Sequence, residues 1–81
     1  MIFPVQISAA RVLLGVSQLE LARLASVSIG TIKRIEAERD QLAGTMRTMS
    51  KIQRALEAAG IVFIEQDGVQ GPGVRLRAPF P

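Results

Sequence analysis

The chain has 81 residues, 48% of them hydrophobic, a formal net charge of +3, and no cysteine or histidine. That length fits one domain with one small core. The missing residue types exclude a disulfide framework, thiolate zinc sites, cysteine nucleophiles and histidine acid–base chemistry. The positive mean hydropathy of so short a chain implies apolar surface that meets a partner. The start MIFPVQ lacks a basic stretch leading into a long apolar run, so no signal peptide is expected. No segment reaches the length of a membrane span. These readings predict a soluble, cytoplasmic protein with no membrane partner.

Residues 1–6 read as extended, because Pro4 restricts its predecessor away from helix. A first helix is predicted from Ile7 to Leu14, capped by Gln6 or Ser8, with Ile7, Ala10 and Leu14 on one face. Gly15 ends it as a C′ glycine. Ser17 and Glu20 form a capping box, S-x-x-E, in front of a second helix over Gln18–Ala25. Leu21, Ala22 and Ala25 fall on its inner face. Val27 is the apolar residue of a tight turn. Ser28 is the next N-cap, opening a third helix over Ile29–Glu36 with Ile32 and Ile35 buried. Residues 37–47 are polar and irregular, broken at Gly44. Thr48 then caps a fourth helix over Met49–Ala59, with Met49, Ile52 and Leu56 as its stripe. Gly60 closes it.

The period changes after Gly60. Ile61 to Glu65 is β-branched and aromatic and reads as a strand. Asp67-Gly68 to Gly71-Pro72-Gly73 is turn chemistry. Val74-Arg75-Leu76-Arg77 alternates apolar and basic, as a half-buried strand does. The fold expected is therefore mainly α, a four-to-five-helix bundle over 1–60 followed by a β-hairpin and tail over 61–81.

Two capped helices as short as the second and third cannot fold alone. They make sense as a helix-turn-helix, which holds its second helix out for a DNA major groove. S-Q-x-x-L-A at Ser17 to Ala22, and V-S-x-x-T-I-x-x-I-E at Val27 to Glu36, resemble the phage-repressor (Xre/Cro-type) helix-turn-helix regulators. Arg11, six residues before Ser17, fits the same pattern. The resemblance covers about residues 7–60. The family's usual glycine after the second helix is replaced by Ser26, and the final helix of many members is missing.

The expected roles divide into positioning and reading. Gln18 sits where free amides and the helix dipole favour an anion, and the resemblance implies that it contacts the DNA backbone, with Ser17 sharing the role. It implies the same for Ser28 and Thr31. Arg39, Gln41, Thr45 and Arg47 lie in the segment that would run beside phosphates. The resemblance places Ile29 and Gly30 against base edges, with Lys33 and Arg34 one turn later. Arg34 suits guanine O6 and N7, Lys33 a guanine or a phosphate, and Ile29 a thymine methyl. Gly30 lets the backbone approach closely. Arg11 and Glu36 match a structural salt bridge of the family pattern, not a DNA contact.

A lone two-stranded hairpin is marginal and leaves open edges. Pairing two copies across a two-fold axis solves both problems, which makes Ile61, Phe63, Val74 and Leu76 the expected dimer interface. The alternative is a hairpin folded onto the fourth helix of its own chain. A dimer also spaces two reading helices by one turn of DNA. The expectation is a homodimeric transcriptional regulator on a pseudo-palindromic operator, autoregulatory, acting as repressor or as activator through RNA polymerase. The rival is a protein-binding antiactivator or antitoxin that retains the fold. No cofactor or metal is expected: Gly71-Pro72-Gly73 lacks the Lys-Ser/Thr of a phosphate loop, and Glu36, Glu38 and Asp40 read as solvated charge. Nothing in the chain suggests an enzyme.

Overall fold

The computed structural model describes residues 2–39 and 44–81. Four helices, α1 (Pro4–Leu14), α2 (Gln18–Ala25), α3 (Ile29–Ala37) and α4 (Met46–Ala58), precede two strands, β1 (Ile61–Ile64) and β2 (Gly73–Leu76). The molecule is mainly helical, with the strands paired as one antiparallel hairpin.

The helix ends follow from local chemistry. Ser17 Oγ accepts from Glu20 N at 3.0 Å while the Glu20 carboxylate accepts from Ser17 N at 3.1 Å, closing the capping box. Two helices end alike. Gly15 (φ 71°) and Ser26 (φ 56°) are both left-handed, and the next residue's N–H returns to the carbonyl five residues back, Val16 to Arg11 and Val27 to Ala22. This is the Schellman closure. At the second site a serine holds the conformation that glycine adopts without cost.

Two helix starts differ from the sequence reading. α1 begins at Pro4, not Ile7. Phe3 is extended (ψ 151°), as its neighbour requires, and Pro4 then occupies the first helical position, where a missing N–H costs nothing. Gln6 belongs to the first turn, and its Oε1 accepts from Phe3 N at 2.7 Å. α4 begins at Met46, because Thr45 rather than Thr48 is its cap: Thr45 Oγ1 accepts from Thr48 N at 3.1 Å.

The core draws on every element except β2. Ile7 and Ala10 of α1, Leu21, Ala22 and Ala25 of α2, Ile32 and Ile35 of α3, Ile52 and Leu56 of α4, and Ile61 of β1 are buried, joined by Ile2. Each large side chain so buried contributes about 1.5–3 kcal/mol.

The hairpin packs against the helices of its own chain. Ile61 is 1% exposed, and Phe63, Val74 and Leu76 pack against the core of their own chain. These four do share one face, but it is the inner one. The hairpin folds back on its own helices because β1 is apolar on both faces, and one of them covers the bundle. Val62, Ile64 and Arg75 are exposed.

Gln6 ties the hairpin to α1. It is 3% exposed, and its Nε2 donates to Ile64 O (3.2 Å) and Gly73 O (3.0 Å). With Oε1 on Phe3 N, the buried amide is satisfied at both ends, as burial demands. At the other end of the hairpin, the Arg77 guanidinium donates to the Glu57 carbonyl in the last turn of α4.

Candidate nucleic-acid interface

Three segments carry the residues singled out from the sequence: the start of α2, the outward face of α3, and the start of α4. α3 is the centre. At about 100° per residue, the buried Ile32 and Ile35 fix the inner side. Gly30, Lys33, Arg34 and Ala37 then lie opposite, with Ile29 at the margin. The structure agrees: Ile29 is 36% exposed, and Gly30, Lys33 and Arg34 are all exposed. Neither Lys33 nor Arg34 has a hydrogen-bond or ion-pair partner among the described residues. A Cβ built on Gly30 would meet only Ser28 Oγ, at 3.9 Å. Packing does not require glycine here; its effect is to keep the surface flat.

Ser28 and Thr31 stand at the α3 N-terminus. Ser28 Oγ accepts from Thr31 N at 3.1 Å and lies 2.8 Å from Thr31 Oγ1. The cap keeps both hydroxyls at the end of the helix where the dipole favours an anion.

At the start of α2, Gln18, the expected phosphate contact, donates from its side-chain Nε2 to Glu36 Oε1 at 3.2 Å. Glu36 is a nearby buried carboxylate with acceptor capacity to spare, and it draws the amide inward. Ser17 is exposed, but its hydroxyl serves the cap and the Glu20 carboxylate sits beside it. Hydrogen bonds from the Ser17 backbone N–H and then from its hydroxyl hold the Glu20 carboxyl below its ordinary value. The negative charge that stabilises this helix end therefore competes with any incoming phosphate.

Arg11 and Glu36 form the expected ion pair. Arg11 Nε donates to Glu36 Oε2 at 3.0 Å and Nη2 to Oε1 at 3.1 Å. Nη1 reaches Val16 O at 3.2 Å. The side chains are 20% and 8% exposed. One guanidinium thus ties α1 to the end of α3 and to the turn before α2. It also withdraws an acidic group from the exposed face of α3.

Arg39 and Arg47 are exposed, and their side chains have no hydrogen-bond or ion-pair partner among the described residues. Arg39 is left-handed (φ 56°), and its carbonyl accepts from Val5 N at 2.9 Å, which fixes the exit of α3 against α1. Arg47 lies in the first turn of α4. Gln41 lies outside the described residues.

Lys51 and Thr45 have structural roles that sequence reasoning does not assign. Lys51 Nζ donates to Ser26 O at 3.1 Å, so α4 braces the turn between α2 and α3. Thr45 sets where α4 starts. The T-x-x-T spacing carried the second signal; nothing local carried the first, which joins residues 25 apart in sequence. Among the described residues no cluster of acidic side chains is arranged to hold a metal ion, and no helix is long and apolar enough to cross a membrane. No protein-family model matches the chain, and no curated protein matches it.

Proposed function

We propose that the protein is a sequence-specific DNA-binding regulator of the phage-repressor helix-turn-helix type, with α3 as its reading helix. The observation that carries this reading is the outward face of α3. It presents Ile29, Gly30, Lys33 and Arg34 to solvent, while the helix's own Glu36 is turned inward onto Arg11. An exposed short helix with two cations, a flat glycine and a capped N-terminus suits a major groove. Arg34 reads a guanine, Ile29 packs on a thymine methyl, and Lys33 holds guanine or phosphate. Ser28, Thr31, Arg39 and Arg47 supply backbone contacts. Gln18 contributes its main-chain N–H at the α2 start rather than its amide side chain. Two copies on a pseudo-palindromic operator, in the cytoplasm, complete the proposal, with repression of its own gene or activation through RNA polymerase as the outcome.

The test is binding to a fragment from upstream of its own gene, at low and moderate salt, with an Arg34→Ala control. Specific binding that weakens steeply with salt and is lost in the variant is the expected result. Undiminished binding by Arg34→Ala moves reading off α3. The second reading, a protein-binding antiactivator or antitoxin, draws on Ile29 and Gly30, which offer no hydrogen bond to a base. It gains if neither this fragment nor genomic DNA is bound.

A further inference from the structure

The hairpin has one face and one edge that the DNA-binding reading does not use. Its register pairs Ile61 with Leu76, Val62 with Arg75, Phe63 with Val74 and Ile64 with Gly73. Arg77 N donates to Gly60 O at 2.8 Å. Hydrogen-bonded pairs alternate in an antiparallel ladder, so Val62–Arg75 and Ile64–Gly73 are hydrogen-bonded and the other two pairs are not. Val74 and Leu76 therefore turn their side chains to the core and their N–H and C=O groups off the outer edge of β2. No described residue pairs with these groups. On the edge of β1, Ile61 is 1% exposed and closed off by its own chain, while Phe63 is half-buried. Val74 and Leu76 are only half-buried.

Beside this open edge lies a cleft of about 480 Å³ lined by Val62, Arg75, Leu76, Arg77 and Pro79. Arg75 is exposed and without a partner among the described residues. Arg77 is anchored on the Glu57 carbonyl, which holds its charge at the cleft wall. An edge strand that alternates Val-Arg-Leu-Arg is protected against casual pairing. Pairing β2 with a second copy of itself about a two-fold axis through Arg75 would set Arg75 directly against its symmetry mate, about 5 Å apart at Cβ, which is unfavourable, and an axis through Val74 would leave each Arg75 against a glycine with no acid to meet it. A strand with carboxylates on its outward positions meets no such penalty. It would satisfy the main-chain groups of Val74 and Leu76, set an acid against Arg75 on the outer face, and lay an aliphatic side chain beside Leu76 on the other.

We propose that the β2 edge is a docking site for an extended acidic peptide segment of a partner protein, added as a third strand. The site stands independently of DNA reading by α3.

The experiment is an amide-resolved NMR titration of the whole chain with the capped peptide Glu-Val-Glu-Val-Glu-Val. The expected result is saturable shifts at Val74, Arg75 and Leu76, with slower hydrogen exchange at Val74 and Leu76. Arg75→Glu should weaken binding about tenfold or more, the loss of one charge-assisted bond. Arg75 is exposed, so the variant should keep its fold, and Arg34→Ala should leave peptide binding unchanged. A version of the peptide N-methylated at alternate residues, which cannot complete the ladder, should not bind. Equal binding by the methylated peptide would overturn strand addition in favour of charge attraction alone. So would equal shifts from a short oligonucleotide. Concentration-dependent shifts at Val74 and Leu76 without peptide would assign the edge to a second copy, and no shift at millimolar peptide would refute the site.

Discussion

Removing Arg11 should cost more than any other single change outside the aliphatic core. In Arg11→Ala, Glu36 keeps only the Gln18 amide as a donor, while its side chain stays 8% exposed. Breaking a buried pair on one side costs about 3–5 kcal/mol. Arg11 is a fifth exposed, so water relieves part of this, and about 2–4 kcal/mol is the expected loss. A domain of this length has on the order of 4–12 kcal/mol in all. With a urea dependence of about 1 kcal/mol per molar, the unfolding midpoint should fall by roughly 2–4 M. The companion variant replaces both partners, Arg11→Met with Glu36→Leu. It leaves no uncompensated charge and should return to within about 1 kcal/mol of the parent. The assay is urea denaturation of the parent, both single variants and the double. A single-variant loss under about 1 kcal/mol, or a double-variant loss equal to the sum of the two, would refute the reading of this pair as the tie between α1 and α3.

Three further outcomes follow from the same geometry. Gln6→Leu deprives Phe3 N of its acceptor and frees the hairpin from α1; a loss of about 1–3 kcal/mol should come with faster amide exchange in β1 and β2, and unchanged exchange would argue against the clamp. Ser26→Gly relieves a left-handed serine and should stabilise by about 0.5–1 kcal/mol, read as a rise in Tm of a few degrees; a fall in Tm would show that the serine is not strained. The Glu20 carboxyl is held low by Ser17, so its contribution is complete above the ordinary carboxylate value and is lost as pH falls through the lower folded value. Glu20→Gln should therefore flatten the acid limb of stability against pH, and an unaltered limb would contradict the capping-box assignment.

Much of the helical part is legible in the sequence because its signals are local. Ser17 with Glu20, Ser28 ahead of Ile32 and Ile35, and Gly15 after Leu14 each mark a boundary within one turn of themselves. The two errors at helix starts are also local. Pro4 disfavours helix only for the residue before it, and of two threonines three apart the earlier is the cap. The hairpin shows a different limit. Ile61-Val62-Phe63-Ile64 is apolar at every position, so the sequence indicates a strand without indicating which face turns inward. The α1 and α4 surfaces decide that, and they are not neighbours in sequence. Gln6 and Lys51 were illegible for the same reason: a buried amide on two strand carbonyls, and a lysine on a distant helix end, exist only once the chain is folded. In the candidate interface, the exposure of Lys33 and Arg34 follows from the buried period of α3. The inward turn of Gln18 does not, because it depends on a carboxylate that Arg11 has already drawn into place.

The most direct test of DNA reading by α3 is an amide-resolved NMR titration of the chain with an operator duplex selected from random sequence. The account predicts the largest shifts at Ser28, Ile29, Gly30, Lys33 and Arg34, with lesser shifts at Ser17, Gln18 and Arg47. Saturable binding whose shifts fall on α1 or the hairpin while those of α3 stay in place would contradict it.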